Sequence, residues 1–219
     1  MKEEYWLEGP PPEEEGLKFF ESEISGRLKV RYLDNKKILN TQHTNYSYGM
    51  LEEVLNYGLD SIPVENLNSA LVLGLGAGCV VGSLRKRYNF SGPIKGVEID
   101  PVVLQIAEEE FDLSADENLE IICADAFEFV QTTKEKFDLV IVDIFIDIEV
   151  PNLFYQEEFW FHVKKLMNKN GFVLFNAGID LTEEKLNEFL DILPEKFLYQ
   201  IIFEVYISNT LVILNKFED

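Results

Sequence analysis

Cysteine and histidine are scarce in this chain, with two of each in 219 residues. Cys79 and Cys123 make no disulfide framework and no spaced ligand set, so neither a stapled secreted scaffold nor a metal site has support. With His43 and His162 as the only imidazoles, no Ser-His-Asp arrangement is worth defending. No apolar run approaches the ~20 residues that span a bilayer, so no membrane partner is expected. The opening Met1-Lys2-Glu3-Glu4 does not resemble a secretory leader, and the expected compartment is cytoplasmic. Positive charge is sparse too. Nineteen Lys and Arg stand against 40 Asp and Glu, a formal net charge of −21. Such a surface repels phosphate backbones, and the one basic cluster, Arg85-Lys86-Arg87, reads as a solvated helix face, so no nucleic-acid partner is expected. The acidity serves solubility or steers a cationic acceptor equally well.

What the chain has is a glycine-rich turn between two apolar stretches. Leu71-Val72-Leu73-Gly74-Leu75-Gly76-Ala77-Gly78 runs from a strand pattern into a helical one, Val80 to Tyr88. A second strand pattern, Ile94 to Val97, then ends in Glu98-Ile99-Asp100. Strand, glycines, helix, strand and acid in this order are the layout of a nucleotide-binding βαβ unit, in which the acid accepts ribose hydroxyls. The loop residues Leu75, Ala77 and Cys79 include no Lys, Ser or Thr to hold a phosphate, and no P-loop pattern occurs, so a nucleoside triphosphate is not expected.

Two further strand patterns also end in acids. Leu119 to Cys123 leads to Ala124-Asp125-Ala126, and Phe137 to Val142 leads to Asp143. In an open α/β sheet, ligands sit at the carboxyl ends of the strands. An acidic rim there suits a phosphate-free, positively charged nucleoside such as S-adenosylmethionine better than a dinucleotide.

These stretches carry a family resemblance. Leu71 to Gly78, Val97-Glu98-Ile99-Asp100-Pro101, Ala124 to Phe129 and Phe137 to Asp143 resemble class I S-adenosylmethionine-dependent methyltransferases, and more narrowly the spermidine synthase family. The narrower likeness continues through Leu153 to Trp160 and Asn170 to Leu174, and covers roughly residues 17 to 177. It implies an α/β fold: a Rossmann-like seven-stranded sheet with helices on both faces, the last strand antiparallel, preceded by a small N-terminal antiparallel β domain. It implies that Gly74, Gly76 and Gly78 shape the cofactor loop and that Glu98 holds the ribose beside Ile99. Asp125, with Ala126, would contact the adenine, Asp143 would face the reacting centre, and Gln42 would touch the nucleoside.

The departures shape the functional expectation. Spermidine synthases carry an acid between the last two glycines, where this chain has Ala77. They carry D-S/T-S/T-D-P after the fourth strand, where this chain reads Asp143-Ile144-Phe145-Ile146-Asp147-Ile148, and their Tyr-His-Glu is here Tyr48-Gly49-Met50. A buried ammonium without its carboxylate costs several kcal/mol. The expectation is therefore an S-adenosylmethionine-dependent transferase of the spermidine synthase-like type that moves a methyl group to a small, amine-bearing acceptor. The alternatives are aminopropyl transfer from decarboxylated S-adenosylmethionine, with Asp147 standing in for a missing acid, and an inactive nucleoside-binding or interaction protein. Asp143 and Asp147 are the candidate catalytic residues. The aromatics of Asn152 to Trp160 argue for a flatter, more apolar acceptor than putrescine, against the plainer reading that they pack on the sheet.

Three segments are expected. Residues 1–16, with Gly9-Pro10-Pro11-Pro12 and Glu13-Glu14-Glu15, form an acidic arm, mobile unless it docks on a neighbour in a homodimer. Residues 17–60 form the small β domain and an amphipathic helix over Asn45–Tyr57, and residues 61–219 form the nucleoside-binding domain. Its helices are read at Val80–Tyr88, Pro101–Phe111, Ala126–Gln131, Gln156–Met167 and Thr182–Leu193, with a short fifth strand at Phe172–Phe175.

Overall fold

Four strands open the computed structural model, which describes residues 17–33, 36–41, 45–179, 181–195, 197–206 and 208–217. The expected acidic arm, Gln42 and His43 lie outside those residues. β1 (Lys18–Ser22), β2 (Gly26–Leu33), β3 (Lys36–Asn40) and β4 (Asn45–Ser47) pair in sequence as an antiparallel sheet. Seven more strands alternate with helices, as the apolar runs require: β5 (Ala70–Leu73), β6 (Ile94–Glu98), β7 (Leu119–Cys123), β8 (Phe137–Val142), β9 (Met167–Ile179), β10 (Phe197–Val205) and β11 (Asn209–Lys216). Their order across the sheet is β10-β11-β9-β8-β5-β6-β7, with β11 antiparallel to both of its neighbours. This is the expected α/β class, down to the reversed last strand.

Both faces of this sheet are covered, which is why its strands read as unbroken apolar runs rather than alternating ones. Leu71, Leu73, Val140 and Val142 point into one core, while Ala70, Val72, Leu139 and Ile141 point into the other. α1 (Met50–Leu59) buries Val54, Leu55 and Leu59 in the second core, together with α2 (Cys79–Lys86). α4 (Ala126–Thr132), α5 (Glu157–Leu166) and α6 (Glu183–Asp191) cover the first. There Trp160, Phe159, Phe175 and Phe189 form a fully buried aromatic cluster.

The small sheet docks on α3 (Pro101–Phe111). Leu28, Val30 and Leu39 pack against Val103, Ile106 and Ala107, and Lys18 and Lys37 both reach the Glu110 carboxylate. Ser22 Oγ donates to Asp100 Oδ2 at 2.5 Å, while Asp100 Oδ1 caps α3 by accepting from the Val102 N–H. Asp100 at the N-cap and Pro101 behind it make a strong start signal, so the expected bounds of this helix match the observed ones.

Three expectations need correction. Asn45–Ser47 is a strand, and the helix expected from Asn45 begins at Met50, because Tyr48 and Gly49 both adopt positive φ (65° and 64°) and break the chain between them. β9 runs for 13 residues rather than four. Phe172–Phe175 is paired on both sides, and ahead of it Asn168 donates to Asp138 while the Asn170 carbonyl accepts from Asn215. Lys86 and Arg87 are exposed, as expected of a solvated face, but Arg85 is not part of it. Arg85 donates to the carbonyls of Phe90, Gly92 and Asn118, and Arg87 pairs with Asp60 at 2.7 Å.

Candidate functional site

At the carboxyl ends of β5, β6, β7 and β8 the chain leaves a cavity of about 310 Å³. Gly74, Gly76, Glu98, Ile99, Asp125, Ala126, Asp143 and Asp147 all line it. Gly78 does not. It is the N-cap of α2, at φ 83°, and a Cβ there would fall 2.6 Å from the Leu113 side chain. Parallel strands on either side of β5 send their connections to opposite faces, which opens a crevice at this end of the sheet.

Gly74 sits at the crossing point. Its N–H donates to Val97 O at 2.9 Å, its φ is +83°, and a Cβ would lie 2.1 Å from the Asp143 carbonyl oxygen. Only a glycine lets the ends of β5, β6 and β8 come this close.

Glu98 is 3% exposed, and both of its oxygens are engaged by backbone. Oε2 accepts from the Gly76 N–H at 2.9 Å, and Oε1 accepts from the Asp100 N–H at 3.1 Å. Burial pushes its pKa up, and these backbone donors partly offset that by favouring the anion. Each carboxylate oxygen has a second lone pair, so the side chain retains capacity to accept hydroxyl donors from the cavity. Asp125 caps α4: its Oδ1 accepts from the Glu128 N–H at 2.9 Å, and the residue stays half-buried at the cavity edge.

Asp143 follows β8 directly and keeps part of its surface open to the cavity. Protein surrounds it closely enough that its pKa rises to about 7, mainly through desolvation, with Glu98 adding repulsion and Asn176 opposing the rise. Asn176 Nδ2 donates to Asp143 Oδ1 at 2.9 Å, and Asn176 Oδ1 accepts from Asn209 Nδ2 at 3.1 Å and from the Gly178 N–H at 3.3 Å. No Lys, Arg or His among the described residues pairs with Glu98 or Asp143. Two closely surrounded carboxyls without a cation, beside one cavity, form a site suited to a cationic ligand that also carries hydroxyls.

Asp147 lies on the same wall, at φ +55° in the tight turn closed by the Ile146–Glu149 bridge. Its Oδ1 accepts from Thr41 Oγ1 at 2.7 Å, which ties the loop after β8 to the small sheet. Cys79, the first residue of α2, is buried, and that burial pushes its pKa up to about 11, away from a reactive thiol. Phe159 and Trp160 are wholly buried in the core rather than beside the cavity, so the plainer reading holds for them; Leu153 and Phe154 do line it.

The sequence reading missed Asn176, Asn209 and Ser47 on the cavity wall. Asn176 left a trace: a lone amide at the end of the apolar run Phe172 to Phe175, 0% exposed in the structure.

A family model for the spermine/spermidine synthase domain matches residues 49–212, most of the sheet and every acid described above. The chain belongs to the spermine/spermidine synthase family. A probable polyamine aminopropyl transferase of Bifidobacterium longum is 29% identical over 177 residues, covering 76% of this chain and 38% of that protein. A polyamine aminopropyltransferase of Buchnera aphidicola is 31% identical over 167 residues, covering 73% of this chain and 55% of that protein. The chain thus spans less than two thirds of the length of these relatives. Among solved structures, a probable spermidine synthase from Corynebacterium glutamicum superposes with a TM-score of 0.72 at 16% identity, covering 92% of this chain and 80% of that one. At that identity the likeness is one of fold. No helix among the described residues is long and apolar enough to cross a membrane.

Proposed function

We propose that this member of the spermine/spermidine synthase family transfers an aminopropyl group from decarboxylated S-adenosylmethionine to a small amine. The observation that carries the reading is the pair of carboxyls, Glu98 and Asp143, with no cationic partner among the described residues, facing one cavity at the carboxyl ends of the strands. The naming of the curated relatives as polyamine aminopropyltransferases favours aminopropyl over methyl as the group moved.

In this reading Glu98 accepts the ribose hydroxyls while its backbone donors hold it in place. Asp125, fixed by its capping bond, accepts from the adenine amino group with its other oxygen, and Ile99 and Ala126 flank the base. The sulfonium supplies an electrophilic carbon. The acceptor nitrogen bonds to that carbon, the carbon–sulfur bond breaks with its electron pair left on sulfur, and 5′-methylthioadenosine departs. The nitrogen's surplus proton goes to Asp143, whose pKa of about 7 matches that task. Most of the work is alignment.

Methyl transfer from intact S-adenosylmethionine is the second reading. Ala77 favours it, being buried under the small sheet and contributing no acid to the cavity for an aminopropyl ammonium. One incubation separates the two. The chain is supplied with each sulfonium donor and a panel of amines, and the nucleoside product is identified. Release of 5′-methylthioadenosine together with an aminopropylated amine supports the proposal. Release of S-adenosylhomocysteine replaces it with methyl transfer, and neither product sinks both.

A further inference from the structure

Seven of the fifteen large apolar side chains that stand exposed among the described residues border the cavity. Their distribution follows the sheet order. β6 and β7, on one side of β5, bring the acids Glu98 and Asp125. β8, β9 and β11, on the other side, bring Asp143, Asn176, Ile179 and Asn209, with the segment after β8 arching over them. On that second side Phe145, Ile146, Ile148, Leu153 and Ile179 face the cavity, and Ile146 is 61% exposed.

The polar groups of this side are committed. Asn176 serves Asp143, Asn209 and Gly178, and Asp147 accepts from Thr41. Asp143 is the acid of this wall not tied to the small sheet. A ligand lying here meets the Asp143 carboxyl beside the glycine loop and, beyond it, a surface mostly apolar, whose Asp147 is already bonded to Thr41. Apolar side chains left in water at a concave site gain from a ligand that covers them, whereas a charged group pressed against them loses hydration without return. The cavity volume, about 310 Å³, is within the range of small-molecule clefts.

We infer that the acceptor is a monoamine with an apolar body, an alkyl- or arylalkylamine whose nitrogen meets Asp143 and whose chain lies along Phe145, Ile146, Ile148, Leu153 and Ile179. The inference rests on the transfer reading for what happens to the nitrogen, but not for how the amine binds. A diamine of the same length would bring its second ammonium against the isoleucines.

The test is calorimetric titration of butylamine, hexylamine and putrescine into the whole chain, with and without 5′-methylthioadenosine. Hexylamine is expected to bind more tightly than butylamine by about fourfold per added methylene. Putrescine, which is butylamine with an ammonium added on its terminal carbon, is expected to bind at least about tenfold more weakly. Putrescine binding as tightly as butylamine, or no amine binding at all, overturns the inference. In the variant Ile146→Asp, at a position exposed enough to accept a charge, the gap between putrescine and hexylamine is expected to narrow about tenfold; an unchanged gap also overturns it. Release of 5′-methylthioadenosine from decarboxylated S-adenosylmethionine is measured in parallel, in samples to which no 5′-methylthioadenosine is added. Monoamine preference without release would sink the transfer reading and leave the acceptor-site assignment standing.

Discussion

The Asn176 carboxamide, wholly buried in β9, donates a 2.9 Å hydrogen bond to Asp143 Oδ1 at the end of the neighbouring strand. That bond favours the ionised form of Asp143 against the desolvation that pushes its pKa to about 7. Removing it should move the acid limb of activity. In Asn176→Ala, the pH profile of kcat/KM is expected to shift its lower midpoint upward from about 7. A purely structural role for Asn176 would lower the amplitude and leave the midpoint in place.

Asp143 also couples stability to pH. Its folded pKa, about 7, stands above the ordinary aspartate value of 3.8, so between the two the folded state holds a proton that the unfolded chain has already released. Its contribution is therefore fully present below about pH 4 and is lost as pH rises through about 7, with a slope of at most about 1.4 kcal/mol per pH unit. Chemical denaturation of Asp143→Asn between pH 4 and 8 should show a flatter dependence than the parent. Equal slopes would remove Asp143 as the titrating group.

Glu98 accepts from two backbone N–H groups, so its loss acts on the loop as well as on any ligand. In Glu98→Ala the Gly76 and Asp100 donors lose their partner in a buried place, a cost of about 1–3 kcal/mol in folding. Binding of 5′-methylthioadenosine is expected to fall about a hundredfold, by the loss of two charge-assisted hydrogen bonds. Calorimetry and thermal melts on the same sample separate these effects. Retained binding would end the ribose assignment.

Gly74→Ala combines a positive φ with a Cβ 2.1 Å from the Asp143 carbonyl oxygen. The clash is with backbone, which cannot rotate away, so about 3 kcal/mol or more of stability should be lost. Gly82→Ala, where a Cβ meets nothing within 4 Å, is the control and should be neutral or stabilising. Similar melting temperatures for the two variants would contradict the close approach of β5 and β8.

Glu110 receives both Lys18 and Lys37 while its own side chain is 6% exposed. Glu110→Ala is expected to cost about 1–2 kcal/mol and to loosen the small sheet first. Proteolysis should then cut within residues 17–41 before the large sheet unfolds; unchanged cleavage there would show that apolar packing alone holds the sheet.

The sheet and the acids at its strand ends were legible because each is a local signal. An apolar run followed by a carboxylate carries its meaning within ten residues, as in Phe137 to Asp143. The helix at Pro101 was legible to the residue because Asp100 caps it and proline fixes its first turn. What escaped depended on partners far along the chain. The start of β9 lay outside the expected Phe172–Phe175 because what holds Asn168 and Asn170, the side chains of Asp138 and Asn215, stands 30 and 45 residues away. Arg85 read as solvent-facing because the carbonyls it reaches, at 90, 92 and 118, belong to two separate turns. Asn176 and Asn209 meet across 33 residues, a pairing that no periodicity encodes. Tyr48 and Gly49 broke the expected helix through backbone angles that their neighbours' helix pattern conceals.

The chain of bonds from Glu98 through the Asp100 N–H to Ser22 Oγ gives the small sheet a stake in what the carboxylate holds. A ligand that tightens Glu98 also steadies the residue on which β1 is hung. Slowed hydrogen exchange at Phe19 and Phe20, which do not line the cavity, would be its signature. The amino-terminal strands would then report on whether the crevice is full as well as covering one side of it.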